Sequence, residues 1–284
     1  MNRKASGSAF KAWRWDGRSI APHSGGVPLS DRGFRYGQHF FESIAIRNGK
    51  ALLTTEHLVL LAAAAKRGGF PFARSLSKAL RRFLGITSLP DGMLRIYLTA
   101  GAGAPSSPIE ATGCYVTWEA QHFPTEHEIT QGFRLVLLKK PFLGDAWGEK
   151  SGNYAAHLEA LSSARAEGAD EGVVLDAKGY VFSCAMANLL VWVRRGNQII
   201  PCTPPVTRGA RSGAVMDWVK GMMILKERDL RAADLRGAVS MAVTNSRLGV
   251  MPVVSLDGIT LPDLSCALTL ARSYLKDHGL LGRP

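Results

Sequence analysis

The sequence predicts an α+β protein of two domains. Strand-like and helix-like segments mix along it without strict β-α-β alternation. A polar stretch with no clear period, QHFPTEHEITQG from Gln121, separates two halves that each hold both kinds of segment. A chain of 284 residues is long enough for one large or two medium domains with a real core. We place a smaller N-terminal α/β domain at 1–120, a linker at 121–131 and a larger C-terminal domain at 132–284.

The elements follow in order. HFFESIAIR (39–47) is rich in aromatic and β-branched residues, and Asn48-Gly49 is a hairpin turn before KALLT. Thr55 to Arg67 and Leu76 to Leu84 read as helices, the first stopping at Gly68-Gly69. MLRIYLTA (93–100), CYVTWEA (114–120) and FRLVLLK (133–139) read as strands. Residues 153–167 put Tyr154, Leu158 and Leu161 on one helical face and stop at Gly168. GVVLD, GYVFS and NLLVWV give three strands, with a turn at Lys178-Gly179. Residues 211–226 read as helix, AVSMAVTN as strand, and Pro262 opens a last helix to Lys276.

Composition narrows the function classes. Apolar residues are 46% and charged residues 20%, the balance of a soluble globular protein. No apolar run reaches the ~18 residues of a membrane span, and MNRKASGSAFKAWRW lacks the apolar core of a signal peptide. Cys114, Cys184, Cys202 and Cys266 are far apart, so neither a disulfide framework nor a metal site is expected, and a cytoplasmic location fits. The net charge of +12 is dispersed in short clusters without interleaved aromatics. That favours a basic surface or a small anionic ligand over nucleic acid.

Lys150, in GEKSGNYAAHLEAL, is the residue whose chemistry is open. A phosphate loop needs glycine before its lysine; Glu149 stands there, and Gly144 alone does not rescue the pattern. GAGAPS (101–106) carries Pro105 and no following helix, and the spacing of His122 and His127 does not suit one helical face. An isolated lysine is ordinarily a solvated surface charge. Lys150 precedes a helix that begins near Asn153-Tyr154, and the positive end of a helix dipole favours a neutral, nucleophilic amine. Such a lysine can form a Schiff base.

Several motifs in register resemble the fold-type IV pyridoxal-phosphate enzymes, the class IV aminotransferase family, over residues 27 to 256. They are LSDRGFRYGQHFFESI (29–44), KSGNY (150–154), ADEGVVLDAKGYVFSCAMANLLVW (169–192), TPP (203–205) and VTNSRLGVMPV (243–253). The last two long ones are closer to the aminodeoxychorismate lyase branch. The resemblance implies a two-domain architecture like that of D-amino acid aminotransferase. It implies pyridoxal 5'-phosphate as cofactor, a small amino acid as substrate and a lyase or transferase reaction. It makes Lys150 the Schiff-base lysine and proton carrier. Tyr154, Ser183, Asn188, Gly213, Ala214, Val215 and Ser246 then fall at cofactor-binding positions.

Phe41, Ser43 and Ala45 alternate on one strand face, which suits either a substrate pocket or core packing. Tyr154 suits either a helix core face or the cofactor. The resemblance also implies a homodimer, with AGAGAPSSP (100–108), read as a flexible segment without its own anchor, completing the partner's site.

Several positions depart from the family pattern, among them Gln38-His39 in the entry motif, Ala100 at an arginine position, Met216 in the Gly213 turn and three at the cofactor. Leu60 stands for the arginine that holds the cofactor phosphate. Ser183 stands for the glutamate at the pyridine nitrogen, and Val215 for a threonine. Losing a charge-assisted phosphate contact costs about 1.5–3 kcal/mol, and a neutral hydroxyl penalises transamination more than elimination. The alternative is the same fold with the cofactor lost, either a repurposed enzyme or a non-catalytic binding protein.

Overall fold

A computed structural model describes residues 10–86, 88–142 and 150–281. The stretch 1–9, read for a targeting signal, and Gly144 and Glu149 of the rejected phosphate loop lie outside the described residues. Two compact units result: 1–122 with 150–152, and 123–149 with 153–284. Lys150 therefore packs with the first unit. The stretch expected as linker contains a helix, described below, whose Thr125–Glu128 capping box is too short to announce itself by periodicity.

The first unit contains β1 (Phe10–Trp15), β2 (Ile20–Pro22), α1 (Arg32–Tyr36), β3 (His39–Arg47), β4 (Lys50–Ala51), α2 (Thr54–Arg67), α3 (Arg74–Ile86), β5 (Gly92–Thr99) and β6 (Gly113–Ala120). Its strands form an antiparallel sheet in the order β2-β1-β6-β5-β3-β4. Asn48 and Gly49 take positive φ (50° and 71°), the hairpin geometry their sequence predicts. Phe40, Ile44 and Ile46 of β3 pack with Leu58, Leu61 and Ala65 of α2 and Leu76, Leu80 and Leu84 of α3. Each fully buried leucine there contributes roughly 1.5–3 kcal/mol.

The segment 100–108 is anchored, contrary to the sequence reading. Arg32, 1% exposed, donates to the carbonyls of Ala100 and Ser107 (both 2.8 Å) and Pro108 (3.3 Å). Asp31, whose carboxylate accepts from Gly33 N and Thr99 Oγ1 (both 2.7 Å), caps α1 and fixes the arginine's backbone. A buried arginine surrounded by carbonyls ties a loop whose own sequence carries no anchor.

The second unit contains α4 (Glu126–Gln131), β7 (Phe133–Leu137), α5 (Ala155–Ala166), β8 (Glu171–Leu175), β9 (Val181–Cys184), β10 (Asn188–Arg195), β11 (Gln198–Thr203), α6 (Ala214–Met222), β12 (Lys226–Glu227), α7 (Ala232–Arg236), β13 (Ala238–Asn245), β14 (Gly249–Leu256), β15 (Ile259–Thr260) and α8 (Ser265–Asp277). Among the described residues its sheet runs β12-β11-β10-β13-β14-β7-β8-β9, with β15 on β14. The pairings of β7 with β14 and β8 are parallel.

Three details differ from the sequence reading. The buried face of α5 is His157, Ala160 and Ala164, while Leu158 is exposed and Tyr154 is the N-cap. Helix α6 is shorter than 211–226, because Gly213 before it and Met223 after it are extended. α8 begins at Ser265, where Asp263 accepts from its N–H (2.8 Å), rather than at Pro262. No helix among the described residues is long and apolar enough to cross a membrane.

Candidate functional site

The first unit holds Lys150 by its backbone. β4 pairs only with the far end of β3, at Ile46 and Arg47. Residues 150–152 lie against the near end: Phe41 N donates to Lys150 O (2.8 Å) and Gly152 N to His39 O (2.9 Å). Gly152 is required, because a Cβ would fall 2.4 Å from the His39 ring and 2.6 Å from Gly37 O.

The Lys150 amine has an acid partner that its sequence neighbours do not reveal. Its Nζ donates to Glu42 Oε2 at 3.4 Å, and His57 Nδ1 donates to the same oxygen at 2.7 Å. Glu42 and His57 are 5% and 1% exposed; the lysine side chain is 18% exposed. Burial opposes the charge on Glu42, but Lys150 and His57 outweigh it and hold its carboxyl below the ordinary range. The result is a reachable amine pinned to a buried carboxylate. Sequence reasoning missed Glu42 and His57 as a pair. The signal was present: Glu42 shares its strand parity with Phe40, Ile44 and Ile46, so an acid stands in an apolar row.

Phe41, Ser43 and Ala45 lie on the opposite face of β3. Phe41 stacks on Tyr97 (centroids 5.9 Å, 29°), Ser43 pairs with Arg95, and Ala45 is buried. Leu60, in α2, is buried and offers no polar atom.

The remaining candidates lie in the second unit. Ser183 Oγ donates to Ala187 O (2.9 Å), within a turn at 185–187 gripped from several sides. His157 Nδ1 donates to Ala185 O (2.7 Å), Met186 N donates to Glu171 (3.1 Å), and Asn245 Nδ2 donates to Met186 O (3.2 Å). Burial raises the Glu171 carboxyl to about 7. Ser246 follows in the turn between β13 and β14.

Asn188 Nδ2 donates to Arg211 O (2.6 Å), and a Cβ on Gly213 would meet Asn188 Oδ1 at 2.6 Å. Asn188 thus clamps the approach to α6. The helix's N-cap, Gly213, has no side chain to cap it, Asp217 is the acid of its first turn, and Ala214, Val215 and Met216 are buried. The guanidinium of Arg211 donates to His157 Nε2 and lies 5.0 Å from the Tyr154 ring centroid. Burial first, then the arginine's charge, pushes His157 down to about 4, so it is neutral with its proton on Nδ1. Arg211 and His157 were missed by sequence reading, which took residues 211–226 as one helix and singled out neither side chain.

A family profile described as amino-transferase class IV matches residues 39–256. The chain is 26% identical to the branched-chain-amino-acid aminotransferase of Escherichia coli (strain K12), covering 94% of this chain and 91% of that one. It is 22% identical to the D-alanine aminotransferase of Listeria monocytogenes serotype 1/2a (strain 10403S), covering 84% of each. Among solved structures, 4-amino-4-deoxychorismate lyase from Pseudomonas aeruginosa superimposes with a TM-score of 0.77 at 26% identity, over 95% of this chain and 100% of that one. A hypothetical aminotransferase from Mycobacterium tuberculosis, in a PLP-bound form, gives 0.72 at 21% identity, over 94% and 99%.

Proposed function

The chain belongs to the class IV aminotransferase family, and from that premise we propose that it is a pyridoxal 5'-phosphate enzyme acting on a small amino acid, as a lyase rather than an aminotransferase. The observation that carries this reading is the reachable Lys150 amine held on the buried Glu42 carboxylate.

The residues present suit the cofactor. Lys150 is an amine that a carbonyl carbon can reach. The N-cap of α6 is Gly213, which brings no capping side chain, so a phosphate ester would suit the backbone donors of that turn. Asn188 and Gly213 shape that turn, with Ala214 and Val215 supplying backbone N–H groups. Ser246 and Tyr154 complete the set in this reading. When bound, the cofactor supplies an electron sink for charge left on the substrate's α-carbon.

Lys150 Nζ would hold the cofactor and would carry protons to and from the substrate. Glu42 orients that amine and balances its charge, and His57 keeps Glu42 in place. Ser183 decides the reaction type. Its one proton is given to Ala187 O, so it offers a ring nitrogen no acid. A carboxylate in its place would hold a proton on that nitrogen. Without it, cleavage that passes charge to a leaving group is favoured over transamination, which agrees with the resemblance to 4-amino-4-deoxychorismate lyase. The working unit in this reading is a homodimer, which light scattering checks as twice the chain mass.

The test is chemical trapping. Pyridoxal 5'-phosphate followed by borohydride should leave a reduced adduct on the peptide carrying Lys150, absent in Lys150→Ala. No adduct at saturating cofactor would return the chain to the same fold working without it. Amino-group transfer to a keto acid at ordinary enzyme rates, on the order of 10 per second, would overturn the lyase assignment.

A further inference from the structure

We propose that Arg211 is an anion-binding residue that takes the phosphate monoester of the bound ligand. The proposal rests on the reading above for the identity of the ligand, but not for the presence of the anion site.

The argument starts from charge. Arg208 pairs with Asp229, Arg134 with Asp170 and Arg228 with Asp234, so the arginines near them are neutralised locally. Arg211 is half-buried and has no carboxylate partner among the described residues. Its neighbours are a neutral imidazole and an aromatic ring. Both orient a guanidinium and neither neutralises it. A partly desolvated cation without a counter-charge is costly, and an oxyanion removes that cost.

The geometry of the hold leaves the guanidinium available. Among the described residues, one of its five N–H donors is engaged, by His157 Nε2. That nitrogen can only accept, because the ring's proton is on Nδ1 and committed to Ala185 O. Tyr154 supports one face of the plane. Asn188 fixes the backbone by bonding the Arg211 carbonyl at 2.6 Å. Two residues later, Gly213 is the N-cap of a nine-residue helix and brings no side chain to cap its first turn. Within residues 211–216 the chain thus presents a guanidinium and a helix N-terminus, and the acid of that helix's first turn, Asp217, follows them. Tetrahedral phosphate, with several acceptor oxygens, suits forked and point donors together.

The test separates the anion site from the lysine chemistry. Inorganic phosphate should bind the wild-type chain by calorimetry. Arg211→Gln should weaken it about tenfold or more, and Arg211→Lys by less, since a point charge remains. Pyridoxal, which lacks the phosphate, should be trapped by borohydride on Lys150 equally in the wild type and Arg211→Gln. In the wild type, phosphate should slow modification of Arg211 by phenylglyoxal, read on the Arg211 peptide by mass, so the result does not depend on a variant folding. No protection, no phosphate binding, or equal affinity in folded Arg211→Gln would each overturn the proposal. Phosphate binding through Arg211 with no carbonyl trapped on Lys150 would support the anion site and sink the cofactor reading instead.

Discussion

His57 and His157, one in each unit, are both enclosed and both donate through Nδ1, yet they serve opposite charges. His57 donates to the ionised Glu42 carboxylate and joins Lys150 in stabilising a buried negative charge. His157 donates to a neutral carbonyl and turns its other nitrogen, as an acceptor, toward the Arg211 cation. The first arrangement closes on itself, with acid and base present in the same unit. The second stays open, with a cation whose fixed partners are neutral. The difference teaches where each unit expects help: the first has its charges matched by the fold, the second leaves one for a ligand.

The largest effect should come from breaking the closed arrangement. Glu42→Leu leaves His57 and Lys150 without their shared acceptor in a buried site. Removing one member of a buried pair costs about 3–5 kcal/mol, and we expect a loss of that order in the first unit. Hydrogen exchange at the amides of β3 and α2 reads that unit separately. His157→Gln in the second unit keeps a donor and an acceptor and should cost about 1 kcal/mol. Equal losses in the two variants would erase the contrast between the histidines.

The next effect sharpens the comparison through pH. His157 is held down from 6.5 to about 4. Between those values the unfolded chain binds a proton and the folded chain does not. Its contribution is present above 6.5 and is lost as pH falls toward 4, about 3 kcal/mol in all. Glu171 is raised from 4.5 to about 7, chiefly by burial. There the folded chain keeps a proton that the unfolded chain releases. Stability from Glu171 is present below 4.5 and is lost as pH rises through 7. The two slopes oppose each other between pH 4.5 and 6.5, so the wild-type second unit should be nearly flat there. His157→Gln should expose the Glu171 slope, a fall of about 1.4 kcal/mol per pH unit, and Glu171→Gln the opposite rise. Urea midpoints across that range check both. A steep wild-type profile, or flat variants, would show that the two groups do not titrate as their surroundings require.

Much of the fold was legible because local signals and tertiary packing agree. The strand 39–47, the Asn48-Gly49 turn and the strand 238–245 are formed as their sequences suggest. β14 was not legible as a strand, since Pro252 lies in its middle. The structure accommodates it because β7 begins opposite Val253, so Pro252 lies just past the end of that neighbour. The site was legible only in part. Lys150 stood out through its motif, but its partner Glu42 is 108 residues away in sequence, and only strand parity hints at it. Arg211 was hidden for a different reason: its meaning comes from the neutrality of His157, and that depends on burial and on a hydrogen bond to Ala185, neither of which is written in the residues around it.

The smallest effect concerns Ser183, and it completes the contrast with Glu42. Both are buried polar side chains on strands at positions of the resemblance, and both hold a neighbour by a short hydrogen bond. They differ in what their loss strands. Without Glu42, two donors lose their acceptor. Without the Ser183 hydroxyl, Ala187 O still accepts from Cys184 N at 3.0 Å, so no buried group is orphaned. Truncating a hydrogen bond in that situation costs only its net worth, about 0.5–1.5 kcal/mol. We therefore expect Ser183→Ala to lower the stability of the second unit by about 1 kcal/mol, with the 185–187 turn still held by His157, Glu171 and Asn245. Urea unfolding measures the loss, and amide exchange at Ala185 and Met186 reports on the turn. A loss as large as that of Glu42→Leu, with exchange at the turn released, would mean that Ser183 is the turn's main tether rather than one of four.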